Sequence, residues 1–540
     1  MMHYLFLFLS IFSLSSSLLA VDAMTLEEKV GQLLVCHFHG EMANEEARLL
    51  IQKHHMGSVI YFGWANGLQS PKAVLDLSNS LQQLAAQNRL AIPLFIMIDQ
   101  EGGMITRLKH GFTIFPGNLA LGESQQPKFA KQAAEIMGQE LKAVGINLNL
   151  APVVDINNEP LNPVIGLRSF GSSPTQVTIF GKEVLEGYHQ AKIITTLKHF
   201  PGHGNVTVDS HLDLPVLNAS KEELEKIELI PFRELANQTD MIMTAHLLVP
   251  ALDSVHCATL SPAILQGLLR QSVGFQGAII SDSMVMEGLL KQSPSVEEAS
   301  IQALEAGCDL LILGGRQPVN EVMHELSAVQ MGDVHQAIVQ AVKQGRLSEE
   351  RINQSVARIL KLKHTYHLST QALQPTQAFA NIGSASHQQV AQQIAHAAVK
   401  VVQNHLDAPI NLKDKKVLLI APQELSKEIK QTPFPQLNEQ TTSLFFIYDQ
   451  ISPLETEQLL DAAEKVDLVI VFAYQAWRYP QQLATIQTLI KKYPLTCVFC
   501  LGNPYDASFF QQAPYILNTY SPTLPSIQAA YDLFKNSLRF

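Results

Sequence analysis

Eight short apolar runs, each followed by a polar or glycine-rich loop and then a helix-spaced stretch, constrain this chain more than any other feature. They occupy residues 33–38, 57–62, 93–98, 146–154, 193–197, 241–244, 277–280 and 309–313. Between them, 74–87, 128–144, 174–190, 221–235, 262–271 and 296–306 place apolar residues three and four apart, the spacing of one helix face. Strands alternating with helices in this way predict parallel βα units, and eight of them predict a (β/α)8 TIM barrel.

The chain is longer than one barrel needs. At 540 residues it exceeds an ordinary single domain, and the apolar rhythm resumes after a polar stretch near 369–384. The runs 416–420, 443–447, 468–474, 495–501 and 515–519, with helical stretches between most of them, predict a smaller α/β sandwich with a mostly parallel sheet. The expected division is a signal peptide over 1–23, a barrel over 24–370, and a linker with the sandwich over 371–540. The apolar run 5–20, with small residues at Ala20 and Ala23, suits export, so a secreted or periplasmic location is expected. Thr25-Leu26-Glu27-Glu28 has the spacing of a capping box that opens the first folded helix.

A net charge of −11 argues against nucleic acid and anionic lipid as partners. Stable membrane insertion is not expected either. The five cysteines, Cys36, Cys257, Cys308, Cys497 and Cys500, are too few and too scattered for a disulfide framework. The Cys497–Cys500 pair lies in an apolar run where positions three apart face opposite ways, so both read as buried thiols. No phosphate-binding glycine loop opens a helix in the second unit; Gly502-Asn503-Pro504 lacks the spacing.

Past the ends of the runs stand Asp99, Asp155, Lys198 with His199, His246, Asp282, and Gly314 with Gly315. In a barrel these positions converge on the face that carries the active site. Asp155 and His246 have a second reading, in which they satisfy loop backbone groups. The densest segment is Lys198-His199-Phe200-Pro201-Gly202-His203-Gly204, running on to Asp209 and His211. If that loop is extended, Asp209 and His211 point to one side, and the carboxylate holds the imidazole in one tautomer. Such a pair can protonate a leaving oxygen and then activate water. Asp282, ending an apolar strand, suits a carboxylate nucleophile toward a sugar carbon.

The motifs Ile98-Asp99-Gln100-Glu101-Gly102-Gly103, Asn162-Pro163-Val164-Ile165-Gly166 leading into Arg168-Ser169-Phe170-Gly171, the 198–211 block, and Ser281-Asp282-Ser283-Met284 resemble glycoside hydrolase family 3. Within it they are most similar to the bacterial β-N-acetylglucosaminidases of peptidoglycan turnover. The resemblance implies Asp282 as nucleophile, with His211 as acid/base and Asp209 as its partner. It also implies Asp99, Arg107, Arg168, Lys198 and His199 as residues that bind the N-acetylglucosamine unit. No cofactor and no metal are implied, and a monomer acting on a glycan or muropeptide is expected. Met104-Ile105-Thr106 departs from the family, which often has Arg-Val and a polar residue there. Two alternatives stay beside this reading. One is a phosphorylase of the same family, with phosphate as acceptor. The other is a metal-dependent barrel hydrolase, for which His37 and His39 on the first run supply a His-x-His start.

Overall fold

The computed structural model describes residues 21–319 and 322–539; the side chains of 317–319 and 322–324 are not described. Most of the signal peptide expected over residues 1–23 lies outside the described residues. The first helix, Leu26–Gln32, is opened by the predicted capping box, with the Thr25 hydroxyl accepting from the Glu28 amide.

Each of the eight predicted runs supplies one strand: β1 Leu34–Cys36, β2 Ser58–Ile60, β3 Phe95–Ile98, β4 Leu148–Asn149, β5 Thr196–Phe200, β6 Met241–Thr244, β7 Ala278–Ser283 and β8 Leu310–Ile312. They pair in parallel in the order β4-β3-β2-β1-β8-β7-β6-β5. Bridges from Leu148 to Ile194 and from Val153 to Lys198 join β4 to β5 and close the ring. These strands read as continuous apolar runs because a barrel covers them on both faces. The expected helix over 221–235 is instead two, Lys221–Lys226 and Ile230–Leu235. Pro231, in the first turn of the second, has no N–H to continue the first.

After the helices Glu349–Thr365 and Ala385–Ala398 comes a second sheet: β9 Lys400–Asn404, β10 Val417–Pro422, β11 Thr441–Phe446, β12 Leu468–Ala473, β13 Thr496–Cys500 and β14 Tyr515–Asn518. Its order is β9-β14-β13-β12-β10-β11, and only β9 runs antiparallel. Edge strand β9 has an exposed, polar pattern, so no apolar run announced it. Each face of the sheet has its own apolar core: Cys497 belongs to one and Cys500 to the other. All five cysteines are buried free thiols.

The second sheet's unit packs beside the catalytic face of the barrel. Leu119, Ala120 and Leu167 of the barrel meet Ala398 and Tyr520. Glu140 pairs with His387 at 2.8 Å, and the Asn503 amide donates to the Pro160 carbonyl at 3.2 Å. At the opposite end of the barrel, Asp309 just before β8 is fully buried among Arg270 at 2.6 Å, Arg358 at 3.0 Å and Arg351 at 3.4 Å. Arg351 and Arg358 tie the last barrel helix to the strand floor, and Arg270 ties the helix Ala263–Ser272 to it. Removing one partner of a buried charge network leaves the others uncompensated, which costs about 3–5 kcal/mol. Asp309→Ala should therefore lose about that much stability in urea unfolding; a loss under about 1 kcal/mol would show that the cluster is not structural.

Candidate functional site

Every predicted site residue lies at the C-terminal end of the barrel. Asp99 follows the last residue of β3, and the chain turns back through Gly102 and Gly103, both at positive φ. A Cβ on Gly103 would lie 2.8 Å from the Pro116 carbonyl, so the turn requires glycine there. The Gln100 Oε1 accepts the amides of Arg107 and Leu108 at 2.9 and 3.1 Å, which returns Arg107 to within 3.9 Å of Asp99.

The floor of the site is a buried charge lattice. Lys198, 2% exposed, donates to Asp99 Oδ1 at 2.7 Å and lies 2.7 Å from Glu101 Oε1. Arg168 grips the same Glu101 with two hydrogen bonds, at 2.9 and 2.8 Å. Burial alone would raise the Glu101 carboxyl, but Arg168 and Lys198 overcome it and hold Glu101 far below the usual carboxylate range. Glu101 thus belongs to the site, although the Asp99–Gly103 motif by itself gives it no role. Its signal was the need for an anion between two cations that share one floor.

Asp155 plays both parts considered for it. Its Oδ1 accepts the amides of His199 and His203, at 3.0 and 2.8 Å, and its Oδ2 takes the His199 Nδ1–H at 2.7 Å. That bond leaves His199 Nε2 as an acceptor facing Arg168 at 3.4 Å. His246 is fully buried; Nε2 donates to the Ser283 carbonyl at 2.9 Å and Nδ1 accepts from Thr259, so it fixes the backbone beside Asp282. Asn162 joins the loops after β4 and β5. Its amide donates to the carbonyls of His203 and Gly204, and its Oδ1 accepts the amides of Val164 and Ile165.

Asp209 and His211 do pair, but not through an extended loop. Asp209 Oδ1 accepts both the His211 amide at 2.9 Å and His211 Nδ1 at 2.7 Å, while the Asp209 carbonyl accepts the amides of Leu212 and Asp213. The carboxylate closes a turn on its own backbone, a habit of Asp in loops that strand alternation ignores. With Nδ1 engaged by Asp209, His211 Nε2 is the ring nitrogen left free.

Asp282, near the end of β7, is partly open to the cavity. One of its oxygens accepts the Ser283 amide at 2.7 Å. Burial pushes its carboxyl upward, but His199, His246, His211 and the Ser283 amide outweigh burial and keep it below its ordinary value. It is therefore ionised at neutral pH.

Two adjoining cavities share Asp99, Arg107, His211, Met243 and Asp282. The smaller, about 130 Å³, also reaches Glu101, Arg168, Lys198 and His199. The larger, about 490 Å³, extends toward Trp64, Lys109, His110 and Arg316. Asp209 is the one predicted site residue that does not line either cavity; it touches His211, which lines both. Residues 25–362 match the family model described as the glycosyl hydrolase family 3 N terminal domain.

The chain belongs to glycosyl hydrolase family 3. It is 35% identical over 394 residues to β-hexosaminidase A of Pseudoalteromonas piscicida, covering 69% of this chain and 64% of that protein, just under two thirds of its length. Against the β-hexosaminidase of Tolumonas auensis it is 38% identical over 283 residues, 52% of this chain and 81% of that one. The solved structure of a glycoside hydrolase family 3 β-N-acetylglucosaminidase from Paenibacillus sp. str. FPU-7 superposes with a TM-score of 0.86 at 33% identity, over 96% of this chain and 98% of that chain. The second α/β unit is therefore shared with that family 3 structure, and the protein is a glycosidase.

In this family 3 site, burial alone would lower the His211 imidazole, but the bond and charge of Asp209, aided by Asp282, raise it above the ordinary value of 6.5. Its folded value thus lies above the unfolded one. The pair's contribution to stability is in place below the unfolded value and is lost as pH rises through the folded one. NMR titration of His211 should give a midpoint above 6.5 that falls in Asp209→Asn; an unchanged midpoint would remove Asp209 as its partner.

Proposed function

We propose that this family 3 glycosidase is a retaining β-N-acetylhexosaminidase that removes terminal non-reducing β-N-acetylglucosamine. The observation that carries the reading is that an ionised Asp282 and a carboxylate-held His211 line the same two adjoining cavities. The β-hexosaminidase relatives support the sugar assigned.

In the first step an Asp282 oxygen attacks C1 of the sugar. The C1–O bond to the leaving group breaks, and the departing oxygen takes the proton from His211 Nε2. Asp209 holds Nδ1–H and stabilises the imidazole in its charged form before transfer. In the second step, water gives its proton to the now neutral Nε2 and its oxygen attacks C1. Asp282 leaves as a carboxylate, and the product keeps the β configuration. Asp99, Arg107, Arg168, Lys198 and His199 hold the glycon's hydroxyls and amide. Glu101 fixes Arg168 and Lys198, and Asp155 fixes His199, so little reorganisation of these groups accompanies charge development on the ring.

Peptidoglycan fragments are the substrate class favoured by the charge of the larger cavity. Its walls carry Arg107, Lys109, His110 and Arg316, which favour a leaving group bearing a carboxylate. Trp64, 37% exposed and stacked on Phe62, adds an apolar edge to the same cavity. The apolar run at 5–20 supports export, which would place the enzyme where such fragments arise.

Two experiments test these assignments. Asp282→Ala should remove turnover by a factor of about 10⁴ or more while retaining N-acetylglucosamine binding by calorimetry; near wild-type turnover would refute the nucleophile. His211→Ala should slow disaccharides by about 10²–10⁴ and activated aryl glycosides far less, because only poor leaving groups need the proton. Equal losses on both substrates would point to another acid. Running the disaccharide reaction in water and in phosphate identifies the acceptor: free N-acetylglucosamine in both supports hydrolysis, and the 1-phosphate in the second contradicts it.

A further inference from the structure

One cluster in the barrel takes no part in this chemistry. His37 and His39, leaving β1, stand with Glu325 beyond β8, and one ligand-type atom from each lies within 4.8 Å of the others. His39 Nε2 is 3.0 Å from Glu325 Oε1. His37 is 1% exposed. Its Nδ1 and the Glu325 Oε2 have no hydrogen-bond partner among the described residues. A buried imidazole with an unsatisfied nitrogen is unfavourable in a protein interior unless something else uses it.

The backbone around the cluster is held. The His39 carbonyl accepts from the Asn44 side chain at 2.7 Å, and the His39 amide donates to Glu46 at 3.1 Å. Two imidazoles and one carboxylate form a donor set suited to a borderline divalent metal such as zinc. Ligands about 2.0–2.1 Å from a tetrahedral ion stand about 3.3 Å apart, so modest side-chain rotation closes the set and leaves the fourth position to water.

We infer that His37, His39 and Glu325 form a divalent transition-metal site, distinct from the catalytic groups, that clamps the segment beyond β8 onto the end of β1. The clamp lies against the wall of the substrate cavity. Trp64 packs on both imidazoles, with ring centroids 5.3 and 5.5 Å away, and also lines the larger cavity. Arg316, over Trp64 at 5.9 Å, belongs to the same segment as Glu325. Metal binding would thus fix the aromatic and cationic groups that meet the leaving group, without entering the reaction.

The test uses full-length protein stripped with a chelator and titrated with zinc against a chromogenic competitor. A parallel cobalt titration reports ligand geometry by its visible absorption. The chain has only two tryptophans, so a Trp477→Phe background assigns any fluorescence change to Trp64. We expect one equivalent of zinc per chain and a zinc-dependent Trp64 signal. Loss of an outer-shell partner alone costs about 10–100-fold in metal affinity, so His39→Ala and Glu325→Gln should each weaken binding by about 100-fold or more. His211→Ala should bind as the wild type does. No saturable binding, binding unchanged in His39→Ala and Glu325→Gln, or binding lost in His211→Ala would each overturn the site. The catalytic reading does not depend on these outcomes.

Discussion

The site depends on a buried carboxylate held between two cations. Glu101 accepts from Arg168 and contacts Lys198, and Lys198 reaches on to Asp99. Taking such charges out of water costs several kcal/mol each, and only close opposite charges offset it. Two carboxylates and two cations balance here. The lattice also joins the end of β3, the loop after β4 and the end of β5, which makes its geometry a property of the barrel rather than of one loop. Donors anchored in this way are already oriented when a sugar arrives, and that preorganisation is the main electrostatic resource of a glycosidase floor.

The two groups proposed to do the chemistry are held very differently. Asp282 is built into β7, with its backbone fixed by His246 and its oxygen by the Ser283 amide. His211 stands on a turn that Asp209 closes, with 38% of its side chain exposed. A nucleophile needs a fixed approach to one carbon, whereas an acid/base must serve a leaving oxygen and then a water. Placing the first on a strand and the second on a loop matches those demands, and the proposed metal clamp would stabilise the opposite wall in the same spirit.

Much of this was legible in the sequence because parallel strands covered on both faces leave unbroken apolar runs. All eight barrel strands announced themselves in this way, and their ends placed Asp99, Lys198, His199 and Asp282 on one rim. Pairings that cross between loops left no such trace. Nothing local shows that Glu101 binds Arg168, that Asn162 joins two loops, or that Asp155 fixes the tautomer of His199; each contact links residues far apart in the chain. The Asp209–His211 pair was readable from spacing, yet its turn geometry was not, because Asp prefers to bond its own backbone. The edge strand β9 is exposed along nearly its whole length, so it carries no apolar run for a sequence reading to find.

If Asp282 is the nucleophile we propose, the first step leaves a glycosyl ester on it. A slow fluorinated N-acetylglucosaminide with a good leaving group, followed by proteolysis and mass spectrometry, tests it most directly. One covalent sugar per chain is expected on the peptide containing Asp282, and none in Asp282→Ala. Inactivation without an adduct, or an adduct on any other residue, would contradict it.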